Sequence, residues 1–332
     1  MTLNVALLGA GRIGKVHARA VNAVAGARLL AVADPLGEAA TALASAYGAE
    51  VRDVAAIEVA TDIDAVIVCT PTDTHADLIE RFARAGKAIF CEKPVDLSVE
   101  RVRACLKVVE GEGATLMLGF QRRFDAQFRA ARDAIAAGTI GTVEMVQIVS
   151  RDPGPPPPAY IASSGGIFRD MTIHDFDMAR FLLGEEIEAV QASASVLTDP
   201  EIGRLGDYDS ASIILTTASG RHCSISNSRR ATYGYDQRAE VLGSKGMVAV
   251  ANERPVSVVT ATGDGFCAPP LHDFFMTRYE KAYAAEIEAF VGFVQSGRAP
   301  SPGGDDGLRA LVIAEAAARS ITEGRTVRTN EI

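Results

Sequence analysis

Apolar residues in the first 120 positions fall into short runs: Val5–Gly9, Leu29–Ala33, Ala65–Thr70, Ala88–Cys91 and Leu116–Gly119. Between them lie Ala-rich stretches suited to helices, Gly37–Tyr47, His75–Ala85 and Ser98–Glu112. Unbroken apolar runs suit strands covered on both faces, and strands alternating with helices predict a doubly wound parallel sheet. Ser98 is placed to cap the helix that follows it.

The pattern changes after Gly119. A helix is predicted over Asp125–Ala137, ending at Gly138. Strand-like runs then dominate: Val143–Ser150, Glu188–Leu197, Ser210–Thr217, His222–Asn227, Gln237–Leu242, Met247–Ala251 and Val256–Thr260. Turn signals such as Ser219-Gly220 and Ser244-Lys245-Gly246 separate several of them, which predicts a large, mostly antiparallel open-faced sheet of hairpins. The Pro155–Pro158 run within the loop Asp152–Pro158 cannot be a central strand and is expected to form a stiff lid or linker. A helix near His174–Leu183 is stopped by Gly184, and helices return over Asp273–Gln295 and Asp305–Thr322. In the last of these, Leu308, Leu311, Val312, Ala316 and Ile321 fit one buried helical face.

The first run leads into Gly9-Ala10-Gly11-Arg12-Ile13-Gly14, a G-x-G-x-x-G turn, and Asp34 closes the second run. Each part has a physical reason. Gly9 permits a tight exit from the strand. Gly11 lets the backbone approach a pyrophosphate, and Gly14 lets the next helix pack closely, its N-terminus aimed at the phosphates. Asp34 is placed to accept hydrogen bonds from ribose hydroxyls. Gly9, Gly11, Arg12, Ile13, Gly14 and Asp34 are therefore the expected dinucleotide contacts. Asp34 followed by Pro35, rather than by a basic residue, disfavours a 2′-phosphate and points to NAD rather than NADP.

A chain of 332 residues exceeds one ordinary core. The expected fold class is α/β plus α+β. A Rossmann domain over 1–120 takes back the helix 305–322, and a substrate-binding and oligomerisation domain covers 121–304. With 48% hydrophobic and 23% charged residues the composition is globular. No apolar run reaches the roughly 20 residues of a membrane span, and the start has no signal-like segment, so a cytoplasmic location without a membrane partner is expected. A net charge of −9 without a basic block argues against a nucleic-acid partner. The five cysteines (Cys69, Cys91, Cys105, Cys223, Cys267) lack C-x-x-C spacing, and buried free thiols are expected rather than disulfides or a metal site.

Three further segments carry candidate chemistry. Glu92-Lys93-Pro94 follows the fourth run, where ligands bind beyond the carboxyl ends of parallel strands. A lysine there would face the nicotinamide end of a dinucleotide and could hydrogen-bond a reacting oxygen. Read alone, the same tripeptide also makes a surface turn. Asp170, His174 and Asp177, in Gly165–Asp177, stand at i, i+4 and i+7 and would share a helical face. That suits a histidine proton acceptor supported by acids, and equally a solvated helix end. Arg122 and Arg123, in Gly119–Asp125, would contact substrate or cofactor or tie the domains together, the last favoured for Arg123. Thr70, Pro71, Thr74 and His75 end the third run and would lie beneath the cofactor or cap the next helix.

Taken together, these motifs resemble the Gfo/Idh/MocA family of sugar and polyol oxidoreductases. The likeness runs through the glycine turn, Thr70-Pro71, Glu92-Lys93-Pro94, Gly165-Gly166, D-x-x-x-H, Asp306-Gly307 and Gly324-Arg325. Ser150–Pro153, Gly119–Asp125 and Tyr233–Asp236 point to the inositol-oxidising branch. The resemblance implies an NAD-dependent dehydrogenase with Lys93, Asp170 and His174 as the catalytic set. It places Glu92 and Lys93 by the cofactor, and Arg122, Asp152, Asp177 and Tyr235 near a polyol, with no metal. It also implies a homotetramer joined through sheet faces. An aldose dehydrogenase and an NAD-dependent glycosidase are the alternatives on the same scaffold.

Overall fold

The computed structural model of the chain describes residues 2–332. By its contacts the chain divides into two compact units, Met1–Asp125 with Glu280–Leu311, and Ala126–Tyr279 with Val312–Ile332.

The first unit holds a six-stranded sheet of β1 (Leu3–Leu8), β2 (Ala27–Ala33), β3 (Glu50–Val51), β4 (Ala65–Val68), β5 (Ala88–Glu92) and β6 (Leu116–Gly119). All pairings are parallel and the order is β3-β2-β1-β4-β5-β6. The strand order reverses at β1 and β4, so the crevice beyond their carboxyl ends is the natural ligand position. Ala6, Leu7, Leu8 and all of Ala65–Val68 are fully buried, as the unbroken apolar runs require. Ser98 caps the helix Val99–Gly111 by accepting from the Arg101 amide. The far edge, β6, is covered by residues 302 and 303, with the Leu118 amide donating to the Pro302 carbonyl.

The second unit is built on a seven-stranded sheet of β7 (Val143–Arg151), β8 (Ile187–Ser195), β9 (Ser210–Thr217), β10 (His222–Ser228), β11 (Asp236–Gly243), β12 (Gly246–Val250) and, after the hairpin β13 (Thr260–Thr262) and β14 (Gly265–Cys267), β15 (Val327–Arg328). The order is β12-β11-β7-β10-β9-β8-β15. Every pair is antiparallel except β7 with β10, a parallel pair that no chain of simple hairpins contains. One face packs Val146, Ile148, Ile213, Leu215, Ile225 and Val241 against Phe128, Phe176, Leu182 and Ala317 of three helices. The other carries exposed Met145, Ile214, Leu242 and Met247. No helix among the described residues is long and apolar enough to cross a membrane.

Several expectations need correction. Val256–Val259 is not a strand: Val256, Val258 and Val259 are exposed, and β propensity does not act without a strand edge beside it. The helix expected over Asp273–Gln295 breaks at Tyr279, whose φ of −111° leaves helical geometry, and the segment Glu280–Ser296 belongs to the first unit. The helix Gly304–Glu323, expected to pack back on the first domain, divides between the two units at Leu311. Its glycine-bearing start meets Leu106, Leu116 and Leu118, where added Cβ atoms at Gly304 and Gly307 would collide, while Ile313, Ala314, Ala316 and Ala317 join the core of the second unit. The proline run ends by starting a short helix, Pro158–Ser164, because proline is well suited to a first helical position.

Candidate active site

In the first unit, the three glycines of the turn meet three different constraints. Gly9 has φ +98°, and an added Cβ would lie 2.6 Å from the Cys69 carbonyl oxygen. At Gly14 a Cβ would lie 1.9 Å from the Gly9 carbonyl oxygen, so this position sets how closely the helix Arg12–Ala23 approaches β1. Around Gly11 a Cβ would meet nothing within 4 Å. That helix has no acidic residue in its first turn and no side-chain cap at Gly11, which suits an anion. Asp34 is fixed at the end of β2, accepting the Ala10 amide on Oδ2 at 2.6 Å and the Leu36 amide on Oδ1 at 2.7 Å. Each carboxylate oxygen keeps a second lone pair for a hydroxyl donor. An uncapped helix start, an open flank at Gly11 and an oriented carboxylate fit a dinucleotide.

The ends of β4 and β5 are joined through one imidazole. His75, buried in the first turn of its helix, has Nε2 2.8 Å from the Thr70 carbonyl and Nδ1 2.8 Å from the Pro94 carbonyl. It locks the turn that carries half-buried Lys93 to the Thr70-Pro71 turn. Thr74 Oγ1 donates to the Pro71 carbonyl and lies 2.6 Å from Thr70 Oγ1, so it shapes this turn rather than capping the helix. The Lys93-Pro94 bond is cis. Glu92 turns inward, with Oε1 2.6 Å from Nε2 of the fully buried His17. Burial, and then the Glu92 charge, push the Cys69 and Cys91 thiols well up, so neither is a ready nucleophile. Arg122 is buried, and Arg123 pairs with Asp306 at 2.9 Å within the same unit.

In the second unit, Gly165 and Gly166 have φ +80° and +83°. A Cβ on Gly166 would lie 2.9 Å from Oδ1 of Asp207, and that oxygen accepts the Ile167 amide at 2.8 Å. The chain then winds one wide π turn over Phe168–Thr172 before the regular helix Ile173–Leu183, which ends at Gly184 with φ +65°. Wide turns of this kind recur at functional sites. The wide turn ends at Thr172, so Asp170 sits in it while His174 and Asp177 stand three positions apart on the regular helix. Asp170 and His174 are half-buried, whereas Asp177 is buried with its carboxylate 3.7 Å from Arg180.

Asp170 is engaged from both sides. The Tyr160 hydroxyl donates to Oδ1 at 2.8 Å, and the Arg229 guanidinium stands 3.6 Å from Oδ2. Beneath the helix, Asn227 accepts from the Thr172 hydroxyl at 2.7 Å and donates to the Asp175 carboxylate at 2.8 Å, which fastens the first turn to β10. Asp152 lies past the end of β7, where its amide and carbonyl pair with Ser228 and Ala231. Tyr235 is buried, edge-on to Phe274 and Tyr279.

Residues 3–120 match the family described as "Oxidoreductase family, NAD-binding Rossmann fold", and residues 128–249 match the GFO/IDH/MocA C-terminal domain. An inositol 2-dehydrogenase from Rhizobium meliloti is 67% identical over 98% of this chain and 99% of its own. The chain belongs to the Gfo/Idh/MocA family. It is thus an NAD-dependent dehydrogenase acting on CH–OH groups. Among solved structures, a myo-inositol dehydrogenase from Corynebacterium glutamicum superposes with TM-score 0.95 at 44% identity, covering 99% of both chains. A scyllo-inositol dehydrogenase from Lactobacillus casei, solved with NAD(H) and scyllo-inositol, gives TM-score 0.91 at 28% identity over 99% of this chain and 100% of its own.

Against this Gfo/Idh/MocA frame, reasoning from the sequence missed Tyr160, Asp207, Arg229 and the His17–Glu92 pair. Tyr160 follows the proline run, whose stiffness was legible but whose helix was not. Arg229 and Asp207 lie 59 and 37 positions beyond Asp170, and no spacing rule reaches that far.

Proposed function

We propose that this protein oxidises a cyclic polyol with NAD, myo-inositol to 2-keto-myo-inositol being the preferred reaction. His174 takes the proton of the reacting hydroxyl. Asp170 orients the imidazole and balances the charge it gains. Lys93 stabilises the oxygen as charge develops on it. Arg122, Asp152, Asp177 and Tyr235 serve the remaining hydroxyls. Gly9, Gly11, Arg12, Ile13, Gly14 and Asp34 hold NAD, supported by Thr70, Pro71, Thr74, His75 and Glu92. When bound, NAD supplies a two-electron hydride acceptor. The observation that carries this reading is a half-buried Asp170–His174 segment in a chain that also has an oriented Asp34 and an open Gly11 flank. Near full-length identity of 67% to an inositol 2-dehydrogenase supports the choice of polyol.

The test is a screen of initial rates of NADH formation across inositol stereoisomers, aldoses and glycosides. The highest kcat/KM is expected with myo-inositol. A preference for an aldose would move the substrate, and glycoside cleavage without net NADH would replace the reaction. A homotetramer in the cytoplasm belongs to the same proposal. Exposed Met145, Leu242 and Met247, which are register neighbours on the outer sheet face, support the assembly. Sedimentation velocity with Met145→Glu measures it, with dissociation expected.

A further inference from the structure

Among the described residues the largest fully buried side chain is an arginine. Arg229 is 1% exposed and follows β10. Its Nη2 lies 3.6 Å from Oδ2 of Asp170 and 3.2 Å from Oδ2 of Asp207. Among the described residues its guanidinium makes no hydrogen bond to a protein atom, so these two carboxylates are its charge partners. Its backbone is pinned, with the amide donating to the Asp209 carbonyl at 2.8 Å. A buried cation shared between two acids is costly unless both remain ionised. Asp207 has a second duty, accepting the Ile167 amide at the entrance to the π turn. Asp170 is the acid assigned above to His174.

We infer that Arg229 is the positioning residue of the Asp170–His174 pair: its buried charge beside Asp170 sets the pH above which His174 accepts a proton. The inference rests on the reading of Asp170 and His174 as the proton-accepting pair. The active form has Asp170 charged and His174 neutral. Adding the first proton to that form costs more when a cation stands beside it, whichever of the two groups takes the proton. The groups that bear on Asp170 are named by their contacts: the Tyr160 hydroxyl on Oδ1, Arg229 on Oδ2, and Asp207 behind Arg229. On its own segment stand Arg169, paired with Glu315, then His174, Asp175, held by Asn227, and Asp177, beside Arg180. Removing Arg229 takes away a buried cation that stands 3.6 Å from Asp170. Removing Asp207 frees Arg229 to act on Asp170 alone, so the two changes carry opposite signs.

The test is kcat/KM for polyol oxidation as a function of pH in the full-length protein. In the wild type, activity should fall on the acid side, and His174→Ala should abolish that limb. Arg229→Met should move the limb to higher pH by about one pH unit or more, the size expected for losing an opposite charge at this range. Arg229→Lys, which retains the charge, should leave it near the wild-type position. Asp207→Asn should move it to lower pH. NAD affinity, read by fluorescence titration, should change little in all three, because none lies on the dinucleotide unit. A folded Arg229→Met protein with the limb at its wild-type pH overturns the inference and leaves Arg229 a packing residue. Should Arg229→Met not fold, Asp207→Asn decides: a limb that stays in place or rises overturns it. If His174→Ala keeps the limb, the reading of His174 as base is what fails, a result distinct from either Arg229 outcome.

Discussion

Two short segments of this protein begin with closely spaced glycines and lead into a helix: Gly9–Gly14 and Gly165–His174. In the first, the constraints are local. The collision that excludes a side chain at Gly14 is with Gly9, and the one at Gly9 is with the end of the adjacent strand β4. In the second, Gly166 makes room for Asp207, a carboxylate forty-one positions further on, and the helix opens through a π turn. The first segment offers backbone N–H groups to a ligand. The second carries Asp170, which stands beside Arg229 from the segment after β10, itself beside Asp207 from the segment before β9. A ligand common to a whole fold class can be held by a short backbone motif, whereas proton chemistry at one carbon needs groups fixed from several directions.

Substitutions can break this contrast. The largest effect is expected at the second segment: His174→Ala should lower turnover by about 10²- to 10⁴-fold, the usual range for a general base, with NAD affinity nearly unchanged. Steady-state kinetics beside a binding titration check both halves. Near-normal turnover would move the proton route to Lys93.

Within the first segment, Gly14→Ala and Gly11→Ala should behave differently. The Gly14 methyl must displace the helix by which it packs, costing about 1–3 kcal/mol of stability and weakening NAD. The Gly11 methyl enters open space, so unfolding should change by no more than about 0.5 kcal/mol while NAD affinity falls. Urea unfolding and NAD titration separate them. Equal stability losses would show that both glycines serve packing alone.

Asp209 tests how far long-range contacts support the second unit. Burial alone would push its carboxyl up. The amides of Leu197, Thr198 and Asp199 and the Ser210 hydroxyl overcome that and hold it at about 2. A folded-state value below the ordinary carboxylate range stabilises above about pH 4, and that stability is lost as pH falls toward about 2. Its size is about 2 kcal/mol. Asp209→Ala should therefore lower the melting temperature at pH 7 more than at pH 3; an equal loss at both would remove the charge argument.

The smallest effect belongs to cofactor choice. Asp34→Ser removes the charge facing a 2′-phosphate and should narrow the NAD preference by roughly 1 kcal/mol, about fivefold, as for one like-charge contact in water-like surroundings. An unchanged ratio of kcat/KM for NAD and NADP would place discrimination elsewhere, with Arg12 the next residue to test.

The sequence by itself determined the parallel sheet, the glycine turn, Asp34 and the position of Lys93 after β5. Each of these rests on a period, a run or a spacing shorter than about thirty residues, and local sterics enforce it whatever packs around it. It determined six of the seven strands of the second sheet, β7 to β12, but not β15, it set a strand at Val256–Thr260 that does not form, and it did not give their order. The parallel pairing of β7 with β10 joins segments separated by two other strands, and only burial of the whole face selects it. It placed Asp170 and His174 on one helix, but not the π turn in which Asp170 sits. Arg229, Asp207 and Tyr160 were beyond reach for the same reason. A buried charge is set by whichever groups the folded backbone brings within a few ångströms, and chain separation carries no information about that distance.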